Sequence, residues 1–81
     1  MLEALRQTKN RVVGAKQVTR ALEEGTLAKL FVAEDADLFV TRKIMDLAQQ
    51  RGIALEKVET MAQLGAACQI EVGAAVAGIL K

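Results

Sequence analysis

Helical and strand-like patterns alternate along the chain, and this alternation restricts the possible folds more than any other feature. Apolar residues recur at helical spacing in four segments, and short apolar runs typical of strands lie between them. Glycines and candidate capping residues separate these segments. Four helices alternating with four strands in 81 residues predict a single domain, a three-layer α/β sandwich with helices on both faces of one sheet.

The predicted elements follow from apolar spacing and from the residues that start and stop helices. Strands are predicted over 11–13, 30–33, 53–59 and 74–80, and residues 69–73 are predicted to form a loop. Helices are predicted over 2–9, over 15–24, from a cap at Asp35 or Asp37 to Arg51-Gly52, and from a Thr-x-x-Gln capping box at Thr60 to about residue 67. The predicted buried stripe of the third helix is Val40, Ile44, Leu47 and Ala48.

The composition supports a buried core of small and aliphatic side chains. Apolar residues make up 52% of the chain and charged residues 26%, which does not match the composition of disordered chains. Much of the apolar content is alanine, and Phe31 and Phe39 are the only aromatic residues. We therefore expect closely approaching backbones in place of large hydrophobic anchors.

Missing residue types exclude several kinds of chemistry. The chain has no histidine, which removes Ser-His and Cys-His nucleophile pairs and the commonest metal ligand. The lone Cys68 cannot form an internal disulfide or a thiolate metal cage, so a reducing compartment and a cytoplasmic location are expected. We expect Cys68 to be a small buried side chain, with redox sensing as the alternative.

No targeting or membrane segment is expected. The first residues lack the long apolar core of a secretory signal. The longest uncharged apolar run, residues 72–80, is too short to span a bilayer.

The charges are distributed unevenly. The net charge is +1, but residues 1–20 carry a net charge of +4 and the remaining residues a net charge of −3. A basic end indicates an anionic partner, and a solvated charged face is the alternative. Lys9 and Arg11 belong to this end and are candidates for phosphate contacts.

The start of the second predicted helix concentrates cations where acids are usual. Helix first turns favour Asp and Glu, because the exposed amide donors make that end positive. Here Lys16, Gln17 and Arg20 lie within roughly a 100° arc, opposite the predicted buried face. A phosphate or an electronegative base edge would make this arrangement favourable. The alternative is that Lys and Arg are good helix formers on an exposed face.

Two motifs of this chain resemble signatures of the L7Ae ribosomal-protein family. Residues 14–22 read GAKQVTRAL and resemble the family motif Gly-x-Asn-Glu-x-x-Lys, in the Gly-x-Lys-Gln form of its bacterial members. Residues 64–75 read LGAACQIEVGAA and resemble the second signature, Leu-Gly-x-Ala-Cys-Gly-Ile-x-Val-Gly-Ala-Ala. Residues 32–37 resemble the central strand of the family and the loop after it, so the resemblance covers essentially the whole chain.

This resemblance implies both a fold and a function. The fold is an α/β/α sandwich with a four-stranded mixed sheet. The function is binding of kink-turn RNA, a sharply bent duplex whose bend carries tandem sheared G·A pairs. The resemblance implies no catalysis.

By position, the resemblance assigns RNA contacts to the motif that begins at Gly14. The Asn, Glu and Lys of the family correspond to Lys16, Gln17 and Arg20. Gln17 offers an acceptor and donors to guanine edges, while the two cations can donate to guanine O6 or N7 or to phosphate. Gly14 permits close approach of the RNA. The bend opens the major groove, which regular A-form RNA keeps too narrow for side chains.

The second signature is expected to form a loop beside the same helix end. There it would shelter an unstacked base of the bulge with four residues, Ile70, Glu71, Val72 and Gly73. The family often has Arg-Pro in place of Val72-Gly73, and a Gly and a Lys in place of Gln69 and Ala66. These departures bear on the strength of the phosphate contacts made by the loop.

Acidic residues follow the strand predicted at 30–33. Asp37 occupies a position from which family members reach an extruded base, and capping the next helix is the alternative. Together with Glu34 and Asp35 it suggests Mg²⁺, but no oxygen cage is apparent and capping is the preferred interpretation. We expect neither a metal nor another cofactor.

Two classes of function remain open. The first is a monomeric kink-turn RNA-binding protein, either associated with the ribosome or acting on structured regulatory RNA. The second is a small interaction module that docks a protein or a nucleotide at the same helix end, since one fold hosts unrelated functions. The paired signatures favour RNA.

Overall fold

The computed structural model describes residues 2–81, and the order of its elements is the predicted one. Within this range no helix has the length and apolar character needed to cross a membrane. The elements are α1 (Glu3–Gln7), β1 (Arg11–Val13), α2 (Ala15–Glu24), β2 (Leu27–Ala33), α3 (Leu38–Gln50), β3 (Ala54–Val58), α4 (Met61–Ala67) and β4 (Val76–Leu80).

β3 begins at Ala54, one residue later than predicted, and the starts of β2 and β4 differ from the prediction by more. β2 begins at Leu27, three residues early, because Lys29 lies inside the strand and its amine bonds Glu56 of the neighbouring strand at 2.9 Å. β4 begins at Val76, two residues late, because the Ala74 amide donates to a carbonyl of α4 at 3.0 Å instead of joining the sheet. A polar strand residue and a local backbone contact therefore account for both differences.

The four strands form one mixed sheet in the order β1-β4-β2-β3. β4 is antiparallel to β1 and to β2, whereas β2 and β3 are parallel. Consequently β1, β2 and β3 end at the same edge of the sheet, and β4 begins there. We call this the upper edge, and its pairs are Val13 with Ala77, Val32 with Val76, and Ala33 with Val58.

Two helices cover each face of the sheet, which gives the expected three layers. α2 and α3 pack on one face, over a core that includes Val18, Leu22, Leu30, Val32, Ile44 and Val76. α1 and α4 pack on the other face, over a core that includes Leu5, Phe31, Val58, Leu64 and Ala77. The core is therefore mainly aliphatic and rich in alanine, as the composition predicts.

α1 ends at Gln7, two residues before its predicted end, because Thr8 is extended. The other helices begin or end at the capping residues and the glycine that the sequence predicts. The Asp37 carboxylate accepts the Phe39 amide at 2.9 Å and caps α3. The Thr60 hydroxyl accepts the Gln63 amide at 3.1 Å and caps α4, as the capping box predicts. Gly25 ends α2 with a φ of +74°.

The predicted buried stripe of α3 is wrong at its first position. Val40 is 37% exposed, and the next residue, Thr41, is buried in its place. The Thr41 hydroxyl donates to the Asp37 carbonyl at 3.3 Å, so this polar side chain enters the core with a hydrogen-bond partner. The other buried residues of α3 are Ile44 and Ala48.

Candidate functional site

α2 begins at the upper edge of the sheet, directly after Gly14. The Gly14 amide donates to the Val76 carbonyl at 3.0 Å, which joins the start of α2 to the start of β4. The φ of Gly14 is +96°, a conformation that favours glycine. A Cβ at this position would meet no heavy atom within 4 Å, so the space in front of the backbone is open. A ligand can therefore approach the main chain closely at this point.

The exposed face of α2 has the predicted composition. Lys16, Gln17 and Arg20 are exposed, whereas Val18 and Ala21 are buried against the sheet. The first turn contains no acidic residue, and no side chain caps it. The unpaired amide donors of this turn therefore lie beside side-chain cations, and the positive potential suits an anionic ligand.

The Arg20 guanidinium forms an ion pair that an anion can replace. Its Nε lies 3.4 Å from Oε2 of Glu24, one turn along the helix, and the Arg20 side chain is 79% exposed. Exposed pairs of this kind contribute at most about 1 kcal/mol. A phosphate or a base edge can therefore take the place of Glu24 at little cost.

Loop 69–73 runs back along α4 to the upper edge. The Ile70 amide donates to the Gly65 carbonyl at 3.1 Å. The Val72 carbonyl oxygen occupies the space in which a Cβ of Gly65 would lie. These backbone contacts hold the loop against α4, while the side chains of Ile70 and Val72 remain exposed to solvent.

Gln69 begins this loop with a backbone conformation that usually favours glycine. Its φ is +62°, in the left-handed region. Its side-chain amide donates to the Arg6 carbonyl at 2.9 Å and so connects the loop to the end of α1. A side-chain hydrogen bond therefore accompanies the unfavourable backbone angle.

The carboxylates that follow β2 are occupied by helix capping. Oδ1 of Asp35 accepts the Met61 amide at 2.7 Å, in the first turn of α4, and Asp37 caps α3. The described part of the chain contains no group of three or more His, Cys, Asp or Glu side chains that could hold a metal ion. Asp37 thus caps the helix that follows it, as predicted, whereas Asp35 bonds the first turn of α4 and not that of α3.

The upper edge brings together most of the predicted site residues. Gly14 and the start of α2 belong to one helical layer, and loop 69–73 packs on α4 in the other layer. Between them, the Gly14 amide bonds β4, and the Ala33 amide donates to the Ala75 carbonyl at 2.9 Å. The candidate site therefore straddles the edge of the sheet, with Asp37 following the end of β2 at the same edge.

Arg11 is not part of this surface. Its Nη1 donates to the carbonyls at the end of α1, those of Leu5 at 3.2 Å, Arg6 at 3.3 Å and Thr8 at 2.9 Å. The expected phosphate contact of Arg11 is thus replaced by a structural role. Lys9 also lies away from the upper edge, because the next residue, Asn10, accepts the amide of Leu80 at the far end of β4 at 2.7 Å.

Cys68 is buried beside the end of α4, as expected. Its exposed fraction is 2%. Burial raises the pKa of the Cys68 thiol, and the Arg11 guanidinium opposes this with a smaller effect. The thiol therefore stays protonated and acts as a small apolar group.

An exposed apolar patch that the sequence pattern does not predict lies next to the site. Leu38, Phe39 and Val40 form the first turn of α3, and all three are exposed. The available signal was a run of three apolar residues directly after the capping residue. One face of a helix cannot bury three consecutive residues, so some of them had to face solvent.

The sequence and the fold are both similar to those of known proteins. The sequence model of the ribosomal protein L7Ae/L30e/S12e/Gadd45 family matches residues 1–81. A Geobacillus thermodenitrificans protein named "RNA-binding protein" is 49% identical over 70 residues, which cover 86% of this chain and 85% of that protein. A Geobacillus sp. protein that is also named an RNA-binding protein is 43% identical over 79 residues, 98% of this chain and 96% of that protein. The solved structure of a Giardia lamblia 15.5kD RNA binding protein superposes with a TM-score of 0.88, at 21% identity, covering 99% of this chain and 68% of that one.

Proposed function

Because this chain belongs to the ribosomal protein L7Ae/L30e/S12e/Gadd45 family, we propose that it is a non-catalytic protein that binds kink-turn RNA at tandem sheared G·A pairs and stabilises the bent form. Relatives that are 49% and 43% identical are named RNA-binding proteins, which supports RNA as the ligand. The protein acts as a monomer in the cytoplasm, on ribosomal RNA or on another structured RNA.

One observation carries this proposal: two segments with different chemistry flank one sheet edge. The hydrogen bond from Gly14 to Val76 joins the cationic start of α2 to the strand that follows loop 69–73. The α2 side offers charge and an amide, and the loop side offers exposed apolar groups, Ile70 and Val72. A helix end alone would suit any anion, whereas this pairing suits a ligand with phosphates, base edges and an unstacked base.

On the α2 side, the neutral Gln17 and the charged side chains make different contacts with the RNA. Gln17 accepts and donates hydrogen bonds at the guanine edges of the sheared pairs, which carry the identity of the motif. Lys16 and Arg20 donate to phosphate oxygens or to guanine acceptors and supply most of the electrostatic attraction. Gly14 leaves room for the RNA backbone, because nothing fills the space in front of it.

On the loop side, apolar groups cover a base that the bend expels. Ile70 and Val72 provide the cover, while Glu71 and Gly73 lie between and beside them in the same exposed loop. Asp37 keeps its helix cap through one carboxylate oxygen, and its other oxygen is left to accept from an extruded base.

Stabilisation of the bend follows from preference for one form of the RNA. A protein shifts a conformational equilibrium only by the difference between its affinities for the two forms. Loop 69–73 is already held against α4 by the contact between Val72 and Gly65, so little ordering is required on binding. Such a preference requires the kinked RNA to contact both segments of the upper edge and the straight duplex to contact fewer groups.

The experiment that tests this function compares two RNAs in a gel shift at one salt concentration. One RNA carries a kink-turn, and the other is a straight duplex of the same length and stem sequence. We expect tight binding to the kink-turn and weak binding to the straight duplex. Equal affinity would leave only generic charge attraction and would support the alternative interaction module.

A further inference from the structure

Three consecutive apolar side chains at the start of α3 are exposed to solvent. Leu38 is 70% exposed, Phe39 is 73% exposed and Val40 is 37% exposed. Single exposed apolar residues need no explanation, but a contiguous patch usually marks a binding surface. Phe39 is also one of only two aromatic residues in the chain, and the other, Phe31, lies in the core.

This patch continues into the candidate RNA site. A groove of about 350 Å³ separates α2 from α3. Its α2 wall is formed by Ala15 and Thr19, and its α3 wall by Phe39, Val40 and Lys43. Ala15 is the first residue of α2 and directly precedes Lys16, so the groove opens beside the cationic start of α2.

Three cations lie near the patch, and their charge suits a nucleic acid. The Lys43 amine lies 4.9 Å from the centroid of the Phe39 ring. Lys16 lies next to the α2 wall, and Arg42 precedes Lys43 on α3. Asp37, directly before the patch, keeps its negative charge and caps α3 through Oδ1, whereas the first turn of α3 contains no acidic residue.

An exposed aromatic ring with a cation beside it is the chemistry of a base-stacking platform. Bases stack on aromatic side chains whatever their sequence, and nearby cations neutralise the phosphates that accompany them. We infer that Phe39 stacks on an unpaired base of the bound RNA, next to the nucleotides that reach the start of α2. This inference rests on the proposed function, because it extends the surface of the same RNA-binding site.

The test measures the affinity of four variants of the protein, each with one substitution, for a kink-turn RNA. Phe39→Ala removes the platform and should weaken binding by roughly 5- to 150-fold, the range for loss of one stacked base. Phe39→Leu keeps an apolar side chain without an aromatic ring and should lose nearly as much. Phe39→Trp keeps a ring and should bind at least as tightly as the wild type. Leu55→Ala removes an exposed apolar side chain near the start of β3, away from the upper edge, and should have no effect.

The partner base is found by replacing each unpaired nucleotide with an abasic residue, one at a time. At one position the abasic residue should weaken binding by the wild type but should not weaken binding by Phe39→Ala any further. The abasic residue and the protein substitution would then remove the same contact. Because Phe39 is exposed, we expect its variants to remain folded, and melting curves check this for every variant.

The outcomes separate this inference from the proposed function. Full affinity in Phe39→Leu, or additive losses at every abasic position, would overturn the stacking assignment. If Phe39→Ala binds normally while Gln17→Ala is weakened, the proposed function stands and the patch serves a protein partner instead. If the wild type does not prefer the kink-turn at all, both proposals fall.

Discussion

The carbonyl oxygen of Val72 fills the space that a side chain of Gly65 would need. Gly65 lies in the middle of α4, where glycine costs roughly 0.5 to 1 kcal/mol of stability relative to alanine. The contact compensates for that cost, because it fixes loop 69–73 against the helix. A residue that weakens the helix is thus required for the candidate RNA-binding loop to sit at the upper edge.

Gly65→Ala should therefore damage the loop, although alanine is the better helix former. The added Cβ must displace the Val72 carbonyl, and such overpacking typically costs about 1 to 3 kcal/mol. We expect a lower free energy of unfolding in urea and weaker RNA binding. Ala66→Gly, at the next and exposed position, is the matched control, since it should weaken the helix and leave RNA affinity unchanged. RNA affinity at the wild-type level in folded Gly65→Ala would contradict the role assigned to this contact.

Gln69 offers a prediction about the left-handed turn that begins the loop. Gln69→Gly removes the backbone penalty of a positive φ but loses the hydrogen bond to Arg6, so its stability should be close to that of the wild type. Gln69→Ala loses the hydrogen bond and keeps the penalty. We expect the alanine variant to be less stable than the glycine variant by about 1 kcal/mol in chemical denaturation. The reverse order would mean that the turn is not strained.

Substitution of Arg20 should weaken RNA binding and substitution of Arg11 should not, although both residues belong to the basic N-terminal region. Arg20→Ala should cost about 1.5 to 3 kcal/mol of RNA-binding free energy, because hydrogen bonds to charged groups are the stronger ones. It should also reduce the salt dependence of log affinity by about 0.7 to 0.9, the value for one phosphate contact. Titrations at several salt concentrations measure both quantities.

Arg11→Ala should leave the salt dependence unchanged and lower the melting temperature, because its guanidinium bonds the last carbonyls of α1. A changed salt dependence with an unchanged melting temperature would show that Arg11 faces the RNA.

Cys68 gives the stability a dependence on alkaline pH. Burial raises the pKa of its thiol above the ordinary value of 9.0, so the folded state holds the proton more tightly than the unfolded state. The stabilisation is complete below that ordinary value and is lost as the pH rises through the higher pKa of the folded state. As the pH rises into the alkaline range, the free energy of unfolding of the wild type should therefore fall relative to that of Cys68→Ala. An unchanged difference across this range would show that the thiol is not shielded.

The sequence predicts the ends of helices best where the residue at the end is a glycine or a capping side chain. Both ends of α2 match the prediction because Gly14 and Gly25 take positive φ angles at its two ends. The start of α4 is predicted by Thr60, whose hydroxyl accepts an amide of the first turn. The start of β2 is missed because Lys29 interrupts the apolar run, and its ion pair forms only once β3 lies alongside.

Residue spacing by itself predicts only the α2 part of the candidate site, and the expectation for loop 69–73 comes from the family resemblance. The exposed face with Lys16, Gln17 and Arg20 follows from the 3.6-residue period, and the structure has the same arrangement. The hydrogen bond between Gln69 and Arg6 joins residues 63 positions apart, and local pattern contains no information about it. The exposure of Phe39 is not predicted, because the apolar stripe predicted for α3 begins at Val40 and says nothing of the residue before it.

The division of roles proposed for the start of α2 is that Gln17 recognises the sheared G·A pairs while the cations position the RNA. It predicts that Gln17→Ala weakens kink-turn binding and leaves weak binding to a straight duplex nearly unchanged, because base contacts specify and phosphate contacts position. Arg20→Ala, by contrast, should weaken binding to every RNA.

The most direct measurement is the affinity of the wild type, Gln17→Ala and Arg20→Ala for three RNAs. These are a kink-turn, the same RNA with its sheared G·A pairs changed to Watson-Crick pairs, and a straight duplex. We predict that the wild type loses most of its preference on the second RNA, and that Gln17→Ala loses little more there because its partner edge is already absent. Equal losses on all three RNAs for both variants would contradict this division of roles, since this helix end would then attract nucleic acid without recognising the sheared pairs.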